Sequence, residues 1–246
     1  VRKAFALILA ALLLAGAVCA SFYLLDFYQQ RQEQEMKITD LRRRVKLPVI
    51  TDIALPSLPE NQEVPEQESL HDFAALQAEN PDCIGWLSIP GTEIDFPVMQ
   101  SRAGPEFYLM HDFEQEYNIY GLPFLDARCG PDSDNLLIYG HHMNDGSMFS
   151  CLHKYEDSEF LESHREVVFE TPASVEHYQV RAVLRARGSY AEDEWSIFQS
   201  VDFDDEMRKN LSSQIDLEVT SKNKLLTLVT CEYTQKNGRL AVVAVK

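Results

Sequence analysis

The final stretch, residues 224–246, reads KLLTLVTCEYTQKNGRLAVVAVK and constrains the fold more than any other. Two runs dense in Leu, Val and Thr, residues 225–230 and 240–245, flank a polar connection. Such side chains fit a pleated, half-buried surface, so both runs read as strands. Asn237-Gly238 is strong turn punctuation, and a tight hairpin turning there is the simple reading. That register leaves Cys231 about five residues, or about 16 Å, from the turn beside which Arg239 sits. If the strands instead stop at Cys231 and restart at Arg239, residues 232–238 form a looser loop. The thiol and the guanidinium then face each other across two strands at one rim of a sheet. The second register is adopted here, because it makes a site.

The other end of the chain is of a different kind. Residues 4–25 form an apolar run without a charge, preceded by Arg2 and Lys3 and closed by Asp26. A bilayer-spanning helix needs about 20 such residues. A cleaved signal peptide is the rival, with a tolerable site at Val18-Cys19-Ala20, but its apolar region is usually only about 7–15 residues long. The length favours an uncleaved anchor over residues 1–26, with Arg2 and Lys3 on the cytoplasmic side and the rest outside. Arg42, Arg43, Arg44 and Lys46 oppose that orientation from the far flank. Residues 27–46 have helical propensity and read as a stalk, and residues 47–68, with Pro48, Pro56, Pro59 and Pro65, as a linker. Stalk and linker together span 27–68, and the folded domain is expected over 69–246.

Within that domain Ser69 is expected to open a short helix that Asn80-Pro81 stops. Strands follow at 84–89, 94–99, 122–125, 135–139, 167–170 and 177–187, with short helices at 147–155 and 158–164. Residues 202–214 form an amphipathic helix, with Phe203, Met207 and Leu211 on one face and acids crowding its N-terminus. With the terminal pair, about eight short strands and a few helices predict a mainly β (α+β) fold, a mixed β-barrel with peripheral helices.

A formal net charge of −17 argues against nucleic acid as a partner, since duplex binders cluster Lys and Arg on one face. Five scattered cysteines make no disulfide framework and match no zinc spacing, although a Cys129–Cys151 bridge is open. A nucleophilic cysteine wants a cationic or hydrogen-bonding neighbour, because the ordinary thiol pKa lies near ~8.5. For Cys231 the candidates are Arg239 and a histidine. Of seven histidines, His71, His111, His153, His164 and His177 sit in helical or strand patterns with surface or packing roles. His141 and His142 follow Gly140 at the end of an apolar strand, where a side chain emerges at a rim. His142, Asp126, Asp132, Asp134 and Asp145 match no metal-loop spacing, and no metal is expected.

The segment TLVTC followed by Arg239, with NLLIYGHHMNDGSMF about ninety residues earlier, resembles the active-site signature of the sortases. The runs IGWLSIPGTEIDFPVMQ, FYLMHDF and GLPFLDARC resemble the class B branch, so the resemblance covers residues 70–246. It implies a sortase-type eight-stranded barrel and a Gram-positive cell-surface cysteine transpeptidase in which 69–246 is the catalytic domain. By position, Cys231 would be the nucleophile, His141 the acid and base, and Arg239 the oxyanion donor. Thr230 and Glu232 would contact substrate. Val229 departs from the Ser common at its place, residues 100–106 lack a frequent Asp-Asn pair, and His142 stands where Asn is usual. The implied partners are proteins bearing an LPxTG- or NPxTN-like sorting signal, and a cell-wall peptidoglycan precursor or pilin lysine as acceptor. Lipid would hold the N-terminal helix in the cell membrane as a single pass, with the domain extracellular, and no cofactor is implied.

Two readings from other classes remain. A papain-like protease needs a histidine after its cysteine, and none follows Cys231. A non-catalytic binding domain on a membrane stalk predicts that alkylating Cys231 changes nothing.

Overall fold

A computed structural model describes residues 2–45, 70–187, 198–215, 217–234 and 237–246. It divides into two units, Val1–Arg43 and Arg44–Lys246. The first consists of most of helix α1 (Arg2–Val45), which shows no break where anchor was expected to give way to stalk. Leu7, Ile8, Leu12, Leu13, Leu14 and Phe22 are all exposed on it. Over residues 4–25 the helix is apolar all round, which suits an apolar medium, and it is long and apolar enough to cross a membrane. The proline-rich linker at 47–68 lies outside the described residues.

The second unit opens with α2 (Phe73–Glu79), which starts later than expected. Asp72 is its cap: the Asp72 Oδ1 accepts from Ala75 N at 3.0 Å, satisfying one of the amides a helix start leaves without a partner. Strands β1 (Cys83–Ser88), β2 (Asp95–Met99), β3 (Phe124–Leu125) and β4 (Asn135–Tyr139) follow. A 3-10 helix (Ser150–Glu156) and α3 (Ser158–Ser163) lead to β5 (Glu166–Glu170) and β6 (Val175–Arg187). Helix α4 (Asp205–Ile215) precedes β7 (Leu225–Glu232) and β8 (Gly238–Val245). The 3-10 helix was expected to begin at Ser147. Asp145 instead holds Ser147 in a turn, through Ser147 N and Oγ, and Met148 takes a positive φ of 56°.

The eight strands close into a barrel in the order β1-β2-β3-β4-β7-β8-β6-β5. The sheet is mixed, with β2–β3 and β4–β7 parallel and the remaining pairs antiparallel. Side chains of β7 alternate between two faces. Leu225 and Val229 pack with Ala241, Val243 and Val245 beneath Phe203, Leu211 and Ile215 of the α4 segment. Leu226 and Leu228, equally buried, turn to the barrel interior. Full burial of such a side chain stabilises by about 1.5–3 kcal/mol, so this double-sided pair of strands anchors the unit.

Two polar residues at the start of β4 fix what packs on it. Asn135 is fully buried; its amide donates to Phe198 O and Ser200 O, and its Oδ1 accepts from Thr227 Oγ1 at 2.9 Å. The Asp134 carboxylate accepts from Phe203 N, Arg208 and Lys224. Burial alone would raise its pKa, but these donors outweigh burial and hold it below the usual range. Helix α4 is thereby tied to β4 and β7, and Asp204 caps its first turn by accepting from Met207 N at 2.8 Å.

At the other end of β4, Gly140 lies against the fully buried ring of Phe149. A methyl group there would sit 2.6 Å from a ring carbon. Gly140→Ala is therefore expected to displace Phe149 and the chain leading to His141, at a cost of about 1–3 kcal/mol. Urea unfolding measures it, and an unchanged midpoint would mean that the ring turns aside freely.

Candidate active site

The ladder between β7 and β8 pairs Thr230 with Leu240, Cys231 with Arg239 and Glu232 with Gly238. This is the looser register, with the reversal beyond Glu232 and Asn237 at a φ of 57°. Cys231 and Arg239 are thus direct cross-strand neighbours in the penultimate pair. Both are half-buried, and Arg239 Nη1 donates to Gly238 O at 3.0 Å.

Strand β4 delivers the histidine to the same rim. It runs parallel to β7 as far as Tyr139 opposite Val229, where Gly140 N donates to Val229 O at 3.0 Å. Thr230 Oγ1 donates to Gly140 O at 2.8 Å, clasping the chain directly before His141. His141, Cys231 and Arg239 consequently line one cleft of about 370 Å³, together with Leu109, Tyr139 and Arg128.

The imidazole of His141 is oriented from behind. Its Nε2 lies 2.7 Å from Leu109 O, and a carbonyl only accepts, so Nε2 carries the hydrogen. Nδ1 is then the nitrogen that takes up or releases a proton. Burial pushes the His141 pKa below its ordinary value of 6.5, against a smaller upward pull from the Leu109 carbonyl. At neutral pH the resting ring is therefore neutral. Cys231 Sγ makes no hydrogen bond among the described residues, as in many catalytic sites that tighten only around substrate.

The remaining thiols of this unit differ from Cys231 in setting. Burial pushes Cys83 up to about 12 and Cys129 and Cys151 to about 11, which leaves all three protonated and inert. Cys129 and Cys151 are free, so the bridge between them that the sequence left open is not formed.

Thr230 and Glu232 fall on the opposite face of β7 from Cys231, each only 2% exposed. Thr230 borders the cleft, but its hydroxyl is engaged by Gly140. Glu232 was expected on a loop near Arg239. It is instead the last residue of β7, and its Oε1 accepts from Thr234 N at 2.8 Å and pairs with Arg185 at 3.3 Å. It does not line the cleft. On the facing wall, Arg128 grips Asp126 through Nε and Nη2, and Tyr139 donates to the same carboxylate at 3.3 Å. Burial raises the Asp126 pKa, but the Arg128 bonds outweigh it and keep the carboxyl ionised.

Two histidines near the rim take unexpected places. His142 Nδ1 and His153 Nε2 both contact Cys231 O at 3.1 Å. His153 gave no sign of this in the sequence, because the 3-10 helix that carries it reaches β7 only through the tertiary fold. The state of His141 is open to measurement. Nitrogen-detected NMR of its ring should give a titration midpoint below 6.5 with the hydrogen on Nε2 of the neutral form, and a midpoint above 7 would contradict the buried setting.

Comparison with known proteins agrees with this arrangement. Residues 87–246 match the family model of the sortase domain. Sortase B of Listeria monocytogenes is 34% identical over 175 residues, 68% of this chain and 70% of that protein. The X-ray structure of Clostridium perfringens sortase B superposes with a TM-score of 0.63 at 28% identity, covering 71% of this chain and 98% of that one. A Staphylococcus aureus sortase B–substrate complex gives a TM-score of 0.62 at 30% identity, covering 70% of this chain and 83% of that one. A cleft that gathers a cysteine, a histidine and an arginine at one barrel rim, inside a domain matched over this length, makes the chain a member of the sortase family, a class B-type cysteine transpeptidase.

Proposed function

We propose that Cys231 is the nucleophile, His141 the general acid and base, and Arg239 the oxyanion donor. The substrates would be surface proteins carrying an LPxTG- or NPxTN-like C-terminal sorting signal. The observation that carries this reading is the convergence of the three side chains on one cleft from three strand ends. Cys231 Sγ attacks the carbonyl carbon of the signal's Thr, and the carbonyl electrons move onto oxygen. Arg239 donates to that oxyanion with a planar, permanently charged fork. As the C–N bond breaks, the leaving amine takes a proton from His141 Nδ1 and a thioacyl-enzyme remains. An acceptor amine then attacks the thioester, gives its proton to Nδ1, and Cys231 departs as the sulfur leaving group. The neutral resting ring acquires its proton from the Cys231 thiol at the start of the cycle.

The acceptor in this reading is the amine of a cell-wall precursor or a pilin lysine. Short oligoglycine and lysine-bearing peptides, offered together, distinguish the two by the product formed. Thr230 serves by holding Gly140, and Glu232 by pairing with Arg185 beneath the loop. In this reading residues 1–26 anchor the chain as a single pass, 27–68 are stalk and linker, and the catalytic domain, 69–246, is extracellular. The apolar surface of α1 supports the anchor.

Cys231→Ala is expected to fold and to lose all cleavage of sorting-signal peptides, whereas an acyl adduct mapped to another cysteine would refute the assignment. In the same assay Arg239→Lys should lower turnover by at least ~10²-fold with little change in melting temperature, as for loss of a well-placed oxyanion donor. A variant keeping more than about a tenth of the rate, a barrier change under ~1.4 kcal/mol, removes Arg239 from the site. For topology, protease applied to intact cells should cut within residues 47–68 and release the domain. Cleavage seen only after lysis would reverse the orientation.

A further inference from the structure

The strand edge that carries Cys231 loses its neighbour just before the nucleophile. Strand β4 pairs with β7 only to Tyr139–Val229, and the last contact along that edge is Gly140 N to Val229 O. Carbonyls on one edge of a strand recur every second residue, so the next acceptor on this edge is Cys231 O. By then the chain after β4 has turned away toward Phe149, and no strand amide is left to meet that carbonyl. A backbone carbonyl without a partner near a closed core is costly, and it leaves the end of β7 held from the β8 side alone.

Two imidazoles occupy the gap. His142 Nδ1 arrives from the segment after β4 and His153 Nε2 from the 3-10 helix, each at 3.1 Å from Cys231 O. Their rings are 4.3 Å apart and tilted by 43°. On the far side of His142, the Tyr233 ring packs at 5.0 Å, and the Tyr233 hydroxyl donates to His142 O at 2.9 Å. Because the carbonyl only accepts, each contact requires a hydrogen on the named nitrogen, and a neutral imidazole supplies one. Neither ring lines the cleft that holds His141, Cys231 and Arg239.

We propose that His142 and His153 are positioning residues, a paired clamp on the Cys231 carbonyl that fixes the open edge at the end of β7 and hence the position of Sγ. The inference rests on Cys231 as nucleophile. Sγ and the clamped carbonyl hang from the same Cα, so a shift of that residue at the strand end moves the thiol relative to His141 and Arg239. A displacement of about 1 Å at a reacting atom is enough to cost ~10²-fold in rate. Two donors on one acceptor back each other up, so their losses should not combine independently.

The test compares His142→Ala, His153→Ala, the double alanine variant, and the pair His142→Asn with His153→Gln, in which amide donors replace the rings. Steady-state kinetics on a sorting-signal peptide is the readout. Each single alanine variant should lower kcat by less than about tenfold and the double variant by ~10²-fold, with KM within about twofold throughout. The Asn/Gln pair should recover kcat to within about threefold of the parent. A double alanine variant with more than half the parent kcat overturns the clamp, as does an Asn/Gln pair no better than alanine. Loss from His142→Ala alone as complete as from Cys231→Ala makes His142 catalytic and also overturns it. Should the double variant fail to fold, the singles and the Asn/Gln pair decide, supported by the carbonyl 13C shift of Cys231, which must move in each single alanine variant. Cys231→Ala run in parallel separates the two claims. Activity surviving it overturns the nucleophile and the clamp together, whereas activity lost there but unchanged in the double variant overturns the clamp alone.

Discussion

Five residue pairs, from Asn135 opposite Leu225 to Tyr139 opposite Val229, hold β4 alongside β7, and the rim chemistry depends on that contact. Parallel neighbours cannot be joined by a tight turn, so about ninety residues separate His141 from Cys231 and the intervening chain must return in register. A slip by one residue would send Cys231 to the barrel interior and Thr230 to the cleft. The register is pinned at both ends by polar contacts that only one alignment satisfies. At the start, Asn135 meets Thr227, and Leu225 N donates to Asp134 O. At the finish, Thr230 meets Gly140. The apolar residues between them supply the burial energy but little discrimination, since Leu, Val and Ile would pack nearly as well one step along.

The same contact explains why Gly140 and Thr230 matter without touching a reacting atom. Gly140 allows Phe149 to close over the end of β4, and Phe149 N in turn donates to His141 O at 2.9 Å. His141 is thus held by backbone on one side and by Leu109 O on the other. A ring tied at Nε2 in a half-buried setting stays neutral at rest and offers Nδ1, which suits the acid and base role proposed for it.

Much of this was legible in the sequence. The density of Leu, Val and Thr in 225–230 and 240–245 marked two strands, but turn chemistry favoured a tight hairpin, and the pairing of Cys231 with Arg239 was reached only because it makes a site. The eight-strand barrel followed from the strand-like runs upstream of them, between residues 84 and 187, and from the resemblance to the sortases. What was missed was missed for physical reasons. Helix α2 begins at Phe73 because a side chain, Asp72, caps it, and a cap can shift a boundary by several residues without changing the composition. Glu232 could have been placed by parity, since residues 230 and 232 of one strand share a face; extending β7 by one residue moves it from loop to buried edge. His153 had no such signal. Its reach to Cys231 O depends on a 3-10 helix docking against β7 across 78 residues of chain.

The acidic composition sharpens the position of Arg239. In a chain with 39 carboxylate side chains against 22 basic ones, an exposed guanidinium would ordinarily find an acid. Here Asp126 of the same cleft and Glu232 of the neighbouring strand are both engaged elsewhere. Asp126 is gripped by Arg128, and Glu232, though next to Cys231 in sequence, faces the other side of β7 and pairs with Arg185, which Glu156 also holds. Arg239 forms no ion pair among the described residues and donates only to the carbonyl beside it. An arginine already neutralised by a carboxylate would have to break that pair before it could stabilise a developing oxyanion, and the cost would fall on the barrier. Strand parity that turns Glu232 away therefore does for Arg239 what the Leu109 carbonyl does for His141. Each leaves the group in the state that the role proposed for it needs before substrate arrives.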